Sequence, residues 1–382
     1  MSTVKATNLQ HASSATPNLV LAADGSVSGG LPYPNRNLLH NGAMQVHQRG
    51  TSAASISVAG YFTADRWIHI LGTLGTWTQS VENDAPTGSG FRKSQKILCT
   101  TADASPAAGD YHFWAQKMEG QDLQRIAKGT ASAQQLTLSF WVKSNVTGTY
   151  VAELRDVDNT RTANAQYTIS ASATWERKVI TFPADTTGAL NNDNTDSLWL
   201  NFWLGAGATF TSGTLHTAWA AEVNGDRAPG QTNLAAATNN YWQITGVQLE
   251  VGPVATPFEF KSFGQELQEC QRYYCRIVPG IADGMYGVGF AYATTAALIN
   301  VPFPSVMRAS PAAVEQNGTA ADYRIYNTAA NPVACSSVVT FGKATPMNAY
   351  CTASVASGVV AGNATMLGAV TTTAYLGFSA DL

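Results

Sequence analysis

The chain has 382 residues, enough for two or three domains with their own cores, but only 12% are charged, and a composition so poor in Glu and Lys argues against helical bundles and coiled coils. Its 22 basic residues against 25 acidic ones leave a net charge of −3 with no basic run, which excludes the phosphate-neutralising patch of a nucleic-acid binder. No window approaches the roughly 20 apolar residues of a membrane span, and no apolar core flanked by positive charge marks an export leader at the start.

In chain order, residues 1–36 are small and polar, with Pro17, Pro32 and Pro34 and the turn-prone pairs Asp24-Gly25 and Gly29-Gly30. Such a segment cannot bury a core. It is a disordered tail or an arm that orders on a partner, with Leu19, Val20 and Leu21 as a docking point. From residue 37 to residue 260, strand signals recur between Gly, Asn, Asp and Pro clusters. Leu136, Leu138, Phe140 and Val142 alternate, as do Val179 and Thr181 ahead of Phe182-Pro183, then Leu198, Leu200, Phe202 and Leu204, and finally Val247, Leu249 and Val251. This pattern predicts an antiparallel jelly-roll β-sandwich. Pro253 and Pro257 end it. Over residues 261–276, Phe263, Leu267, Cys270 and Tyr274 recur at spacings of four, three and four, a helical stripe too short to stand alone in water. These four residues are expected to pack on the flanking β bodies or on copies of themselves in an oligomer. Residues 277–382 repeat the β texture, with strands expected near 289–301, 323–326, 338–341 and 374–378. The fold class is therefore all-β: an extended N-terminal arm, a jelly roll, one short helix and a smaller C-terminal sandwich.

The five cysteines, Cys99, Cys270, Cys275, Cys335 and Cys351, form no CxxC pair or zinc spacing and are expected to be reduced and buried. No cofactor is implied. Metalloprotease, nucleophile-elbow, phosphate-loop and dinucleotide motifs are all missing. Two carboxylates brought together by folding would still suffice for glycoside cleavage. The oxygen-rich run Asn191–Asp196 offers calcium ligands without the spacing of a dedicated loop, and otherwise reads as a turn.

Aromatic residues carry the positive signal: nine Trp, 14 Tyr and 14 Phe. With Leu198, Leu200, Phe202 and Leu204 on one face of a strand, Trp199, Asn201 and Trp203 take the other, and Trp141 sits likewise opposite Phe140 and Val142. Indole faces flanking an amide suit sugar stacking. The same face could instead be covered by a subunit or a loop. Asp65-Arg66-Trp67 either grips a charged saccharide or holds an arginine between a carboxylate and aromatic rings.

Several blocks resemble a family of bacteriophage tail fibre and receptor-binding proteins. Asn41-Gly42-Ala43-Met44, Gln48-Arg49-Gly50-Thr51 and Tyr61–Trp67 are similar to its opening. Val247–Glu259 and Glu269–Arg276 match its closing strand and helix, and Phe303–Pro311 and Gly377–Leu382 its distal domain. Thr137–Ser144 is similar to the core strand of jelly-roll carbohydrate-binding modules, and the arm resembles attachment segments of phages that infect cyanobacteria. The resemblance implies a non-enzymatic virion protein, made in the host cytoplasm and assembled as a homotrimer. Its residues 1–36 would bind other tail or baseplate proteins, and it would recognise host surface polysaccharide. Phe263, Leu267, Cys270 and Tyr274 would then face the trimer axis. A virion decoration or adaptor protein without glycan binding, and a polysaccharide depolymerase, are the alternatives.

Overall fold

The computed structural model describes residues 35–327 and 332–382, together with three short strands, Asn8–Leu9, Leu19–Leu21 and Val27–Ser28, which pair antiparallel. The expected arm of residues 1–36 otherwise lies outside the described residues.

Eight long strands build the first domain: Ser94–Thr101, Tyr111–Glu119, Leu136–Ser144, Gly148–Asp156, Arg161–Ile169, Glu176–Phe182, Asp196–Ala206 and Tyr241–Val251. Counted in chain order, the first, eighth, third and sixth lie side by side in one sheet, and the second, seventh, fourth and fifth in the other. This is jelly-roll connectivity. Thr76–Glu82 and Ser52–Ile56 extend the first sheet to six strands, while Trp67–Gly72, Gly60–Tyr61 and Ala220–Ala221 extend the second to seven.

The predicted alternation fills the space between the sheets. Leu138, Phe140 and Val142 meet Leu200, Phe202 and Leu204 from the opposite sheet and Trp242, Ile244, Val247 and Leu249 from their own, all fully buried. Trp67 lies flat on Trp114, with ring centroids 4.2 Å apart. The Glu176–Phe182 strand has the opposite parity to the one expected. Ile180 and Phe182 face the core, and Val179 is 48% exposed. One β-branched residue beside two apolar neighbours does not fix which face turns inward.

The helix runs over Phe263–Gln271. Ser262 caps it by accepting the Gln265 amide at 3.3 Å, the N-terminal arrangement that serine followed three residues later by glutamine favours. Its buried residues are Glu266 and Cys270, with Glu266 accepting the Asn41 amide. The expected helical stripe departs from its predicted course here. Tyr274 belongs to a strand, Tyr274–Ile277, and is buried within this chain, as is Cys270; Leu267 is half-buried and Phe263 is 56% exposed. The chain turns at Tyr273, so the helical spacing does not reach Tyr274.

The distal domain is a seven-stranded antiparallel sheet, in the order Val333–Ala334, Tyr323–Tyr326, Ala364–Ala369, Met285–Ala293, Ala296–Pro302, Asn348–Ser354 and Thr340–Ala344. Its second layer is reduced to the pair Tyr274–Ile277 and Leu376–Ser379, whose Cys275, Leu376 and Phe378 share one core with Ile299, Val301 and Leu367. The other face of the large sheet leaves Val288, Phe290 and Tyr292 exposed. All five cysteines are free and buried.

The blocks that carried the family resemblance meet where the two domains join. Gln48 donates from its side chain to Asp65 and, at 2.6 Å, to the Tyr274 carbonyl, while its own amide oxygen accepts the Arg276 amide. Arg49 pairs with Asp381 at 2.6 Å and lies 3.4 Å over the Tyr274 ring. Arg308 donates to the carbonyls of Ala380, Asp381 and Asn194, and Asn194 donates back to the Arg308 carbonyl. Arg272, at the end of the helix, makes a two-pronged bond to the buried carboxylate of Glu119 at 2.8 and 2.7 Å. Burial pushes the Glu119 carboxyl up, but hydrogen bonding together with the charges of Arg272 and Arg66 outweighs it and holds it below its ordinary value.

Candidate functional site

Trp199, Asn201 and Trp203 do lie on the outward face of the seven-stranded sheet, but they do not form an open platform. The excursion between Ala206 and Tyr241 folds back over them, and Phe210, Leu215 and Ala228 pack on Trp203 and Phe113. Asn201 and Trp203 are fully buried. Both donate to Glu153, at 2.7 and 3.1 Å, and Arg227 from the excursion clamps the same carboxylate at 2.7 and 2.9 Å. Trp199 is half-buried, its indole NH bonded to Asp196 at 2.6 Å. The Lys117 ammonium and the Arg155 guanidinium lie over its ring, 4.3 and 5.3 Å from the centroid. Cations on the indole compete with a sugar for that surface. The covered-face alternative therefore holds, with a loop of the same chain as the cover.

Arg66 of the Asp65-Arg66-Trp67 cluster is also structural. It is buried, 3.2 Å over the Tyr273 ring, and donates to the Lys117 carbonyl at 2.7 Å. In the Asn191–Asp196 run, Asp193 accepts the Thr195 amide at 2.9 Å and Asn194 bonds to Arg308, so the run is a turn built into the domain joint. Among the described residues no group of three or more His, Cys, Asp or Glu side chains is placed to hold a metal ion.

The fourth candidate, Trp141, has a different setting. It projects from the outer face of the six-stranded sheet into a cleft of about 540 Å³ that also involves Ser139, Arg177, Ser89, Phe91, Thr256, Phe258 and Phe260. The floor is made by the Leu136–Ser144 and Tyr241–Val251 strands, whose register shifts between Ser139 and Trp141. Gly246 sits at this irregularity with φ of +63°, and a Cβ there would lie 2.5 Å from the Phe91 ring. Only glycine permits both the left-handed backbone and the close approach of that wall. Phe91, Phe258 and Phe260 pack mutually with centroids 4.9 to 5.2 Å apart. Phe260 remains 52% exposed. Thr245, directly opposite Trp141 in the ladder, is buried, and its hydroxyl has no hydrogen-bond partner among the described residues.

The volume lies within the usual range for small-molecule sites, and the lining combines apolar rings with a few hydroxyls. An indole bordering such a cleft stacks on the C–H face of a pyranose; the lining hydroxyls of Ser89 and Thr256 donate to the Pro86 carbonyl at 2.5 Å and to Glu250 at 2.6 Å, which leaves their oxygens as acceptors for a sugar hydroxyl. The phenylalanine wall was missed from sequence. Its signal was Gly246 interrupting an otherwise alternating strand, which marks a close backbone approach.

No protein-family model and no curated protein matches the chain. Among solved structures it is similar to the enzymatically active domain of bacteriophage CBA120 tailspike protein 4, at 15% identity and a TM-score of 0.31, over 58% of this chain and 22% of that one. The chain thus spans about a fifth of that tailspike chain. It is also similar to a family 61 carbohydrate-binding module in complex with β-1,4-galactotriose, at 10% identity and a TM-score of 0.30, over 57% of this chain and 99% of the module. A family 11 module from Clostridium thermocellum in complex with a β-1,3-1,4-mixed-linked tetrasaccharide shows 10% identity and a TM-score of 0.27, over 54% of this chain and 98% of the module.

Proposed function

We propose that the protein is a non-enzymatic receptor-binding component of a phage tail fibre that holds a host surface glycan in the Trp141 cleft. The observation that carries this reading is the cleft itself: a half-buried indole on a sheet floor, walled by Phe91, Phe258 and Phe260, with Ser89, Ser139 and Thr256 in its lining. The virion setting, attachment through residues 1–36 and assembly as a homotrimer rest on the sequence blocks that resemble tail fibre proteins. Single sugar sites bind weakly, and three copies on one fibre would supply avidity. The buried carboxylates of the sandwich have structural partners instead of facing an open cleft: Glu153 is held by Arg227, Asp156 by Lys128, and Glu119 by Arg272.

The test is a glycan-array and whole-cell binding comparison of the wild type, Trp141→Ala and Trp199→Ala. Loss of binding in Trp141→Ala, with Trp199→Ala retaining it, is the expected result. A folded Trp141→Ala protein that binds like the wild type overturns the cleft assignment. Release of reducing ends from a bound polysaccharide would replace the binding role with a depolymerase.

A further inference from the structure

Resting on the glycan reading of this cleft, we infer that its ligand is an anionic saccharide, a polymer bearing uronic-acid carboxylates, and that Arg177 is the residue that selects it. Trp141 and Arg177 are direct partners in the antiparallel ladder, and both border the cleft. Side chains opposed in this way start about 5 Å apart at Cβ. A pyranose on the indole therefore brings its C5 substituent within reach of the guanidinium. In a uronic acid that substituent is a planar carboxylate, which matches the two-pronged donor geometry of arginine.

Arg177 is the one basic residue of the cleft lining, and its side chain makes no ion pair or hydrogen bond among the described residues. Neighbouring cations are engaged. Lys143 is paired with Asp84, Lys178 with Glu176 at 2.6 Å, and Arg36 approaches Glu250 at 3.9 Å. The nearby carboxylates are equally occupied. Asp84 accepts from Lys143, Trp175 and Gln243. Glu250 accepts from Gln248 and from the amide and hydroxyl of Thr256, and Glu176 from Lys178 and the amides of Ser170 and Ala171. Among the described residues no internal anion competes for Arg177. Its exposed position keeps the charge hydrated at little cost until a ligand replaces the water.

The experiment measures binding of the full chain to polygalacturonate, alginate and hyaluronate, each beside its carboxyl-reduced counterpart, with dextran sulfate and dextran as the sulfate pair. The proteins are wild type, Arg177→Gln, Arg177→Lys and Trp141→Ala, each checked for an unchanged melting temperature. At least one carboxylated polymer is expected to bind about tenfold or more tighter than its reduced form, the ratio that a charge-assisted bond supplies. Arg177→Gln should weaken binding to the carboxylated polymer about tenfold and so abolish that ratio, and Trp141→Ala should weaken binding to both forms. Equal binding of carboxylated and reduced forms by the wild type overturns the anionic ligand and leaves the glycan site standing. A preference for dextran sulfate alone overturns the carboxylate assignment. Retention of the preference in Arg177→Gln overturns the role of that residue, and wild-type binding to no saccharide overturns the glycan reading as well.

Discussion

The guanidinium of Arg66 lies 3.2 Å over the ring of Tyr273, which places a buried cation of the sandwich against the second residue after the helix. The contact uses the flat shape of arginine as much as its charge, because the other side of the group donates to the Lys117 carbonyl. Arg66→Lys keeps the charge and loses the plane. The expected cost is about 2–3 kcal/mol, combining a lost desolvated cation–π contact with a buried ammonium left short of partners. Urea unfolding followed by tryptophan fluorescence measures it, and a change under about 0.5 kcal/mol would mean that the stack contributes no more than an ordinary surface contact.

A second expectation concerns the cover over the seven-stranded sheet. Glu153 gathers Asn201, Trp203 and Arg227 around one carboxylate. Glu153→Gln leaves the buried Arg227 guanidinium with only Glu222, 3.6 Å away, as counter-charge, a change that costs about 3 kcal/mol, the low end for a broken buried pair. The excursion between Ala206 and Tyr241 should loosen first, because Arg227 is a charged anchor of it to the sheet, beside Glu222 held by Arg155 at 2.6 and 3.1 Å. Limited proteolysis should find new cleavage within residues 207–233 in the variant, and an unchanged digestion pattern would show that the Arg155–Glu222 pair and the packing of Phe210 and Leu215 hold the cover without Glu153.

Acid sensitivity follows from three interior histidines. Burial pushes His69 down to about 3, and His40 and His112 well below 6.5, with cationic neighbours adding to the effect at His40 and the His69 ring at His112. The unfolded chain takes up these protons near pH 6.5. The stability that neutral histidines contribute is therefore full above 6.5 and is lost as pH falls below it, at up to about 1.4 kcal/mol per pH unit for each. Asp65 acts in the opposite sense. Burial, only partly offset by Gln48 and Arg49, lifts its carboxyl to about 6, so between 6 and 3.8 the folded protein holds a proton that the unfolded chain lacks. Burial also raises the Glu266 and Asp122 carboxyls, but from ordinary values of 4.5 and 3.8, so the three histidines govern the range from 7 to 5 and leave a net loss. The urea midpoint should fall between pH 7 and pH 5. His112→Phe should flatten that fall, since among the described residues neither ring nitrogen of His112 has a hydrogen-bond partner to lose. A pH profile identical to that of the wild type would remove His112 from the account.

Much of the sandwich could be read from its alternation, because large aliphatic residues at every second position leave one solution for the buried face. Leu136–Val142 and Leu198–Leu204 behave this way. In the distal domain, Asn348–Ser354 and Ala364–Ala369 gave no such signal, since the first buries only Ala349, Cys351 and Ala353, and the second combines Leu367 with Ala369 and glycine. The orientation of Trp199 and Trp203 away from the core was also legible. Their cover was not, because the clamp between Glu153 and Arg227 joins residues 74 positions apart. Trp141 could be placed on an outer face from its neighbours in the strand, whereas the wall opposite depends on Phe91, Phe258 and Phe260 converging from two separate loops.

The segment between the domains leaves little slack. Glu259 accepts the amides of Asn35 and Asn37 and donates its own amide to Gln248, the Pro257 carbonyl is taken by Arg36, and Lys261 reaches Glu269. With Arg49, Arg272 and Arg308 bridging the same joint, a pull applied at the cleft is carried into the distal sheet by side chains already in contact. These contacts brace the joint as a strut and not a tether, so a ligand of the proposed cleft would be held at a fixed angle to the rest of the protein.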